Sequence, residues 1–260
     1  MGRHLMAVVA ACVMLSAACG SSGAGSLADD PSASPPDGMA PERSRALGAH
    51  RLWDSLAPLP GTVPMEAPPP ITGHAAADAR LRRLAERRGY RDQSIAVVAK
   101  MHDDVTLAVD RLIAAAAGDG VVLRVTSGFR SISAQRGIVL DKLDRFCIDW
   151  RGSRCDPDLL ASGAADPVIE EVLAVSSLPG HSSHHTGWVM DLGDDTEPFI
   201  EPGTPGYEWL TADDDANARR FGFAPRYPIG GPPIGPDPEP WEWFYAGRDD
   251  LAPFGNDVAS

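Results

Sequence analysis

The stretch PGHSSHHTGWVMDLGDD, residues 179–195, sets three of the chain's seven histidines within five positions. Asp191 follows the middle one by seven residues. Imidazole and carboxylate are donors that a catalytic zinc takes, so His184 and Asp191 are candidate ligands. A polar loop entering a half-buried strand would have the same composition, so the case needs further donors and a base. PEPWEWFY, residues 238–245, supplies Glu239 and Glu242, three apart around Trp241. A general base has to reach the water it activates without being consumed as a ligand, and one of these glutamates suits that task. Upstream, SGFRS puts Arg130 on a tight turn after an apolar strand. A guanidinium held there can clamp a carboxylate or stabilise an oxyanion.

Nucleophilic catalysis finds no support. A Ser-x-x-Lys hydrolase needs a serine three positions before a lysine, and neither of the only two lysines, Lys100 and Lys142, has one. There is no G-x-S-x-G elbow, and no cysteine sits in a protease signature.

These side chains need a scaffold, and apolar periodicity outlines one. ADARLRRLAERRGY and SIAVVAKMHDDVTLAVDRLIAAAAGDG carry helical spacing. VVLRVTSGF alternates as a strand, and SISAQRGIVLDKLDRF resumes helix with Ser131 or Ser133 as its cap. GWVMDLGD reads as a strand, YEWLTADDDANARRFG as a helix and PWEWFYAG as a closing strand. Irregular interleaving without a βαβ repeat or a phosphate loop predicts an α+β fold with a mainly antiparallel sheet. The folded domain is expected over residues 75–250, with 251–260 as a tail.

Residues 1–19 read as a cleaved export signal: Arg3 and His4 precede an apolar run too short to span a bilayer. LSAAC is similar to a bacterial lipobox, making Cys19 the candidate lipidation site and a lipid anchor the expected membrane link. Plain secretion and an uncleaved anchor are the alternatives. Residues 20–74, rich in Ser, Gly, Ala and Pro, read as a tether, although Leu52, Trp53 and Leu56 could pack on the domain. An exported protein keeps disulfides, so Cys147 and Cys155 are expected to pair and to close a lip over the cleft, with free thiols the alternative. The net charge of −13 argues against nucleic-acid partners. A monomer is expected.

SGFRSISAQ, PGHSSHHTGWVMD, FGF and EPW stand in the order seen in VanY-type zinc D-alanyl-D-alanine carboxypeptidases, and residues 75–247 resemble that family. Its superfamily also holds the hedgehog and lysostaphin zinc folds. The resemblance implies an antiparallel sheet with packed helices, a zinc cleft on one face, and removal of the terminal D-alanine from peptidoglycan stem peptides outside the bacterial membrane. It makes His184 and Asp191 zinc ligands and Glu239 the catalytic base. Arg130 becomes the group that engages the reacting carbonyl or terminal carboxylate. Ser182, Gln135 and Trp241 line the substrate side, while His181 and His185 receive no ligand role.

One position departs from the family pattern. The closing motif there is Glu-Pro-Trp-His, its histidine the third ligand, whereas this chain has EPWE and no histidine after His185. Glu242 takes that place and is an acceptable zinc ligand. A carboxylate for an imidazole lowers the charge of the site by one and loosens its preference for zinc over other divalent ions. The reading is therefore an active metallocarboxypeptidase, with a wall-binding module of weakened metal affinity or a cross-link endopeptidase as alternatives.

Overall fold

The structure is a computed structural model that describes residues 40–254 apart from residue 233. The signal segment, Cys19 and the tether up to residue 39 lie outside the described residues, as do residues 255–260.

From residue 40 onwards the chain is not a tether. Helix α1 (Ala40–Ser55) buries Ala46, Ala49 and Trp53 completely or nearly so, the i, i+3, i+7 stripe of a helix face. Two of those three are alanines, which look like low-complexity filler in a sequence yet let a helix approach a sheet closely. Trp53 meets Phe244 edge-on at 5.1 Å, and Arg45 Nε donates to the buried Asp215 at 2.7 Å. Strand β1 (Thr62–Val63) then pairs antiparallel with β2 (Ile95–Ala96).

Helix α2 (Ala75–Arg87) buries Ala77, Leu81, Leu84 and Ala85 and begins where the periodicity places it. The next predicted helix starts late. The β-branched residues after Ser94 form β2 and a turn, and α3 (Asp103–Gly118) begins only after His102, whose Nδ1 accepts from Asp104 N. Strand β3 (Arg124–Ser127) leads to α4 (Ile132–Arg151), and Ser131 Oγ caps that helix by accepting from Ala134 N at 3.1 Å. Helices α5 (Pro157–Ser162) and α6 (Asp166–Ala174) follow, then a 3-10 turn over Ser183–Thr186 and β4 (Val189–Gly193). Helix α7 (Pro205–Arg220) is broken at Ala212–Asp215, where Asp213, Asp214 and Asp215 adopt positive φ. Aspartate tolerates that region better than most residues, and the Arg45 contact holds the last of the three. Strands β5 (Phe223–Tyr227) and β6 (Glu239–Tyr245) close the fold.

The main sheet has the order β3-β4-β6-β5 and is antiparallel throughout, so the fold is α+β as expected. Two apolar clusters support it. One joins α1, α3 and α7 to the sheet through Trp53, Leu112, Met190, Leu192, Phe223 and Phe244. The other packs α2, α4, α5 and α6 through Leu81, Val139, Leu143 and Ile169. Leu251 is buried and its N–H donates to Arg219 O, so the domain extends past the expected tail boundary. No helix among the described residues is long and apolar enough to cross a membrane.

Cys147 and Cys155 are disulfide-bonded. They do not form a lip. Cys147 lies twelve residues beyond Gln135 on the same helix, about 18 Å along its axis at 1.5 Å per residue. The bridge ties the far end of α4 to the start of α5, where Cys155 packs in the helical cluster.

Candidate metal centre

The two central strands create the site. Asp191 on β4 and Glu242 on β6 are direct cross-strand partners, and both are buried. The 3-10 turn brings His184 between them: Nε2 lies 3.2 Å from Asp191 Oδ1 and 3.5 Å from Glu242 Oε2. One ligand atom from each of the three falls within 4.8 Å of the others. Gly187 closes the turn at φ +73°, and a Cβ there would sit 2.7 Å from the Lys100 carbonyl oxygen. No other residue fits without moving backbone.

His184 is held in a defined orientation. The Gly128 carbonyl can only accept, so Nδ1 carries the hydrogen across 2.6 Å and Nε2 faces the carboxylates. Burial works against a charged imidazole, yet Asp191 and Glu242 outweigh it and raise its pKa to about 10. Burial would likewise raise Glu242, but hydrogen bonds from His184 and others bring its carboxyl down to about 2. Asp191 Oδ1 is buried with no aligned hydrogen-bond donor among the described residues. Two buried, opposed carboxylates, one with an orphaned oxygen, and an imidazole nitrogen aimed between them fit a divalent cation.

Glu239 belongs to the same cluster because β6 is irregular. Residues three apart on a regular strand face opposite sides. Here β5 pairs Pro225 with Trp243 and then Tyr227 with Glu239, so Arg226 alone stands opposite Pro240, Trp241 and Glu242. This bulge turns the Glu239 carboxyl towards Glu242. Burial, then the charge of Glu242, pushes Glu239 well above the usual carboxylate range.

Arg130 is fixed beside the centre. Its guanidinium donates to Gln135 Oε1 at 3.0 Å, Ser127 Oγ at 2.9 Å and Asp191 Oδ2 at 3.4 Å. Gln135 is fully buried, and its amide donates to Ser177 O and Ser176 Oγ. It stands behind Arg130 with its polar atoms engaged by the protein. Ser182 is buried at the start of the 3-10 turn, where its carbonyl accepts from His185 N. Trp241 is half-buried against Phe199, ring centres 5.5 Å apart.

The other two histidines are outside the cluster. His185 donates from Nδ1 to Arg130 O and accepts at Nε2 from Gly180 N, which ties the turn together. Burial lowers its pKa to about 4. His181 pairs with Asp92 at 3.3 Å and stacks on Tyr90.

Sequence reasoning missed Ser183, whose hydroxyl donates to Glu242 Oε1, and the Gly128 carbonyl that orients His184. It also missed Ser127, which holds Arg130. A backbone carbonyl carries no sequence signal, and Ser183 differs from Ser182 only by the direction the turn gives it.

Three convergent ligand-type groups, a carboxyl of raised proton affinity and a fixed guanidinium thus stand together in one site. The family model of VanY, D-alanyl-D-alanine carboxypeptidase, matches residues 98–248, more than half of the chain, and the protein belongs to that family. A D-alanyl-D-alanine carboxypeptidase of Enterococcus faecalis is 34% identical over 137 residues, 52% of this chain and 44% of that relative's length. Among solved structures, a variant of the vancomycin-resistance D,D-pentapeptidase VanY in complex with Zn(II) is 22% identical, with TM-score 0.42. That match covers 71% of this chain and 85% of the other. VanYB in complex with D-alanine-D-alanine is 26% identical with TM-score 0.41, covering 56% and 71%.

Proposed function

We propose that this chain is a metal-dependent D-alanyl-D-alanine carboxypeptidase that removes the terminal D-alanine of peptidoglycan stem peptides. The observation that carries the reading is the buried, directly opposed pair Asp191 and Glu242 with His184 Nε2 between them. Like charges facing each other across a sheet are destabilising, and a cation offsets that repulsion.

His184, Asp191 and Glu242 would hold the metal, zinc or another divalent ion. When bound it supplies Lewis-acid polarisation of the scissile carbonyl and acidifies the attacking water. Glu239 is the base: in its ionised form this half-buried carboxylate, whose affinity for a proton is raised, takes the proton of the water and returns it to the departing amine. Arg130, held by Gln135, Ser127 and Asp191, presents a rigid fork for the carboxylate or carbonyl of the substrate. Ser182 and Trp241 are assigned to the substrate side. Export, with Cys19 as a lipid anchor, would put the activity on the outer side of the membrane.

The test is metal analysis of the purified protein together with incubation on a peptide ending in D-Ala-D-Ala. Stoichiometric metal and release of one D-alanine are expected. Wall binding without release would leave the binding-module reading, and cleavage of an amidated peptide at equal rate the endopeptidase reading.

A further inference from the structure

A second polar cleft lies between α1, the segment after α2 and β5, and spans about 420 Å³ with the open solvent at its mouth included. Its lining includes His50, Asp54, Tyr90, His181, Arg226 and Tyr227. Arg226 is the residue that the β6 bulge isolates on β5. Only 6% of it is exposed, and its guanidinium is sandwiched between the rings of Trp53 and Tyr227, 4.8 and 4.3 Å from their centres.

Arg226 has few partners for so buried a charge. One terminal nitrogen donates to His50 Nδ1 at 3.3 Å, and Nε has no hydrogen-bond acceptor among the described residues. Asp54, the carboxylate lining the cleft, pairs with Arg91 at 3.4 Å. His181, also on the lining, is 5% exposed; its Nε2 faces Asp92 at 3.3 Å, so its Nδ1 is an acceptor and takes no part in holding an anion. Aromatic faces stabilise a cation in part, but a buried guanidinium with unused donors is costly unless an anion completes it.

We infer that this cleft is a carboxylate-binding site, in which the fork of Arg226 takes the two oxygens. A planar monoanion matches the guanidinium geometry. Asp54 at the cleft wall and the net charge of −13 disfavour a phosphate dianion. Burial lowers the pKa of both imidazoles, that of His50 to about 4, and Arg226 is the buried guanidinium of the cleft lining.

The test observes the Arg226 Nε–H resonance in the ¹⁵N-labelled full chain, recognised by its ring-current shift from Trp53 and Tyr227 and by its loss in Arg226→Lys. The probes are sodium acetate, N-acetylglutamate amide and its neutral isostere N-acetylglutamine amide, at constant ionic strength in sodium chloride. None has both a peptide bond to cleave and a free terminus, so the readout is independent of peptidase activity. Acetate and the glutamate compound should move the resonance saturably, the glutamine compound at least roughly tenfold more weakly. Tighter binding of the glutamate compound than of acetate identifies a peptide side chain as the source, and the reverse a free small carboxylate. An unmoved resonance, or the same movement with chloride or the glutamine compound, overturns the proposal. If Arg226→Lys fails to fold, nuclear Overhauser contacts to Trp53 and Tyr227 assign the resonance in the parent chain.

Discussion

Asp191 and Glu242 face each other across β4 and β6, two buried carboxylates in direct cross-strand register with His184 Nε2 within 3.5 Å of each. Such a pair is tolerated only with positive charge between it. In the metal-free protein that charge is the proton on His184, and the cation that replaces it must compete with that proton.

Glu242 and Glu239 should separate by role. Glu242→Ala is expected to lower metal affinity by two orders of magnitude or more, roughly the loss of a direct ligand. Glu239→Gln should keep stoichiometric metal and lose ~10²–10⁴ in kcat. Metal analysis and steady-state kinetics read both, and Glu242→Ala with full metal content would remove Glu242 from the ligand set. Glu242→His adds one unit of charge to the centre and should bind zinc more tightly and reach half-maximal activity at lower pH.

Arg130→Lys should keep metal and lose at least ~10-fold in kcat/KM, because one ammonium cannot reproduce a fork that also bonds Gln135 and Ser127. Gln135→Ala should act in the same direction by releasing Arg130. Unchanged kinetics in Gln135→Ala, with the fold intact by circular dichroism, would deny it that positioning role.

The metal-free protein should become less stable as pH rises. The folded pKa of His184 is raised from 6.5 to about 10 by Asp191 and Glu242 against the opposing effect of burial. A raised folded pKa contributes stability that is fully present below the unfolded value and is lost as pH rises through the folded one. Tm of chelated protein should therefore fall between pH 7 and 10, while metal-loaded protein holds its Tm over that range. The same proton makes metal affinity rise with pH, by about tenfold per unit while His184 is protonated. A pH-independent affinity across this window would show that no proton is displaced.

Reducing the Cys147–Cys155 bridge should lower stability by about 2.5 kcal/mol on chain-entropy grounds for so short a loop. Turnover of the folded, reduced protein should stay within about twofold, because the bridge lies ~18 Å along α4 from Gln135. Thiol titration of native protein should find neither cysteine free. A large loss of activity at unchanged fold would restore a lip over the cleft.

The types and order of the site residues were legible in the sequence. His184, Asp191, Glu242, Glu239 and Arg130 carry chemistry that few core positions need, and local periodicity located most of the strands and helices that bear them. Three things depended on tertiary structure. Helix α1 looked like a tether, because two alanines of its buried stripe carry almost no apolar signal until a sheet stands against them. The convergence of Glu239 and Glu242 comes from a bulge that reverses strand parity, and bulges are set by pairing with β5, not by local spacing. Ser183, the Gly128 carbonyl and the burial of Arg226 arise where segments distant in the chain meet. Chemistry resides in side-chain identity and is written locally, whereas register, burial and hydrogen-bond partners are properties of the packed whole.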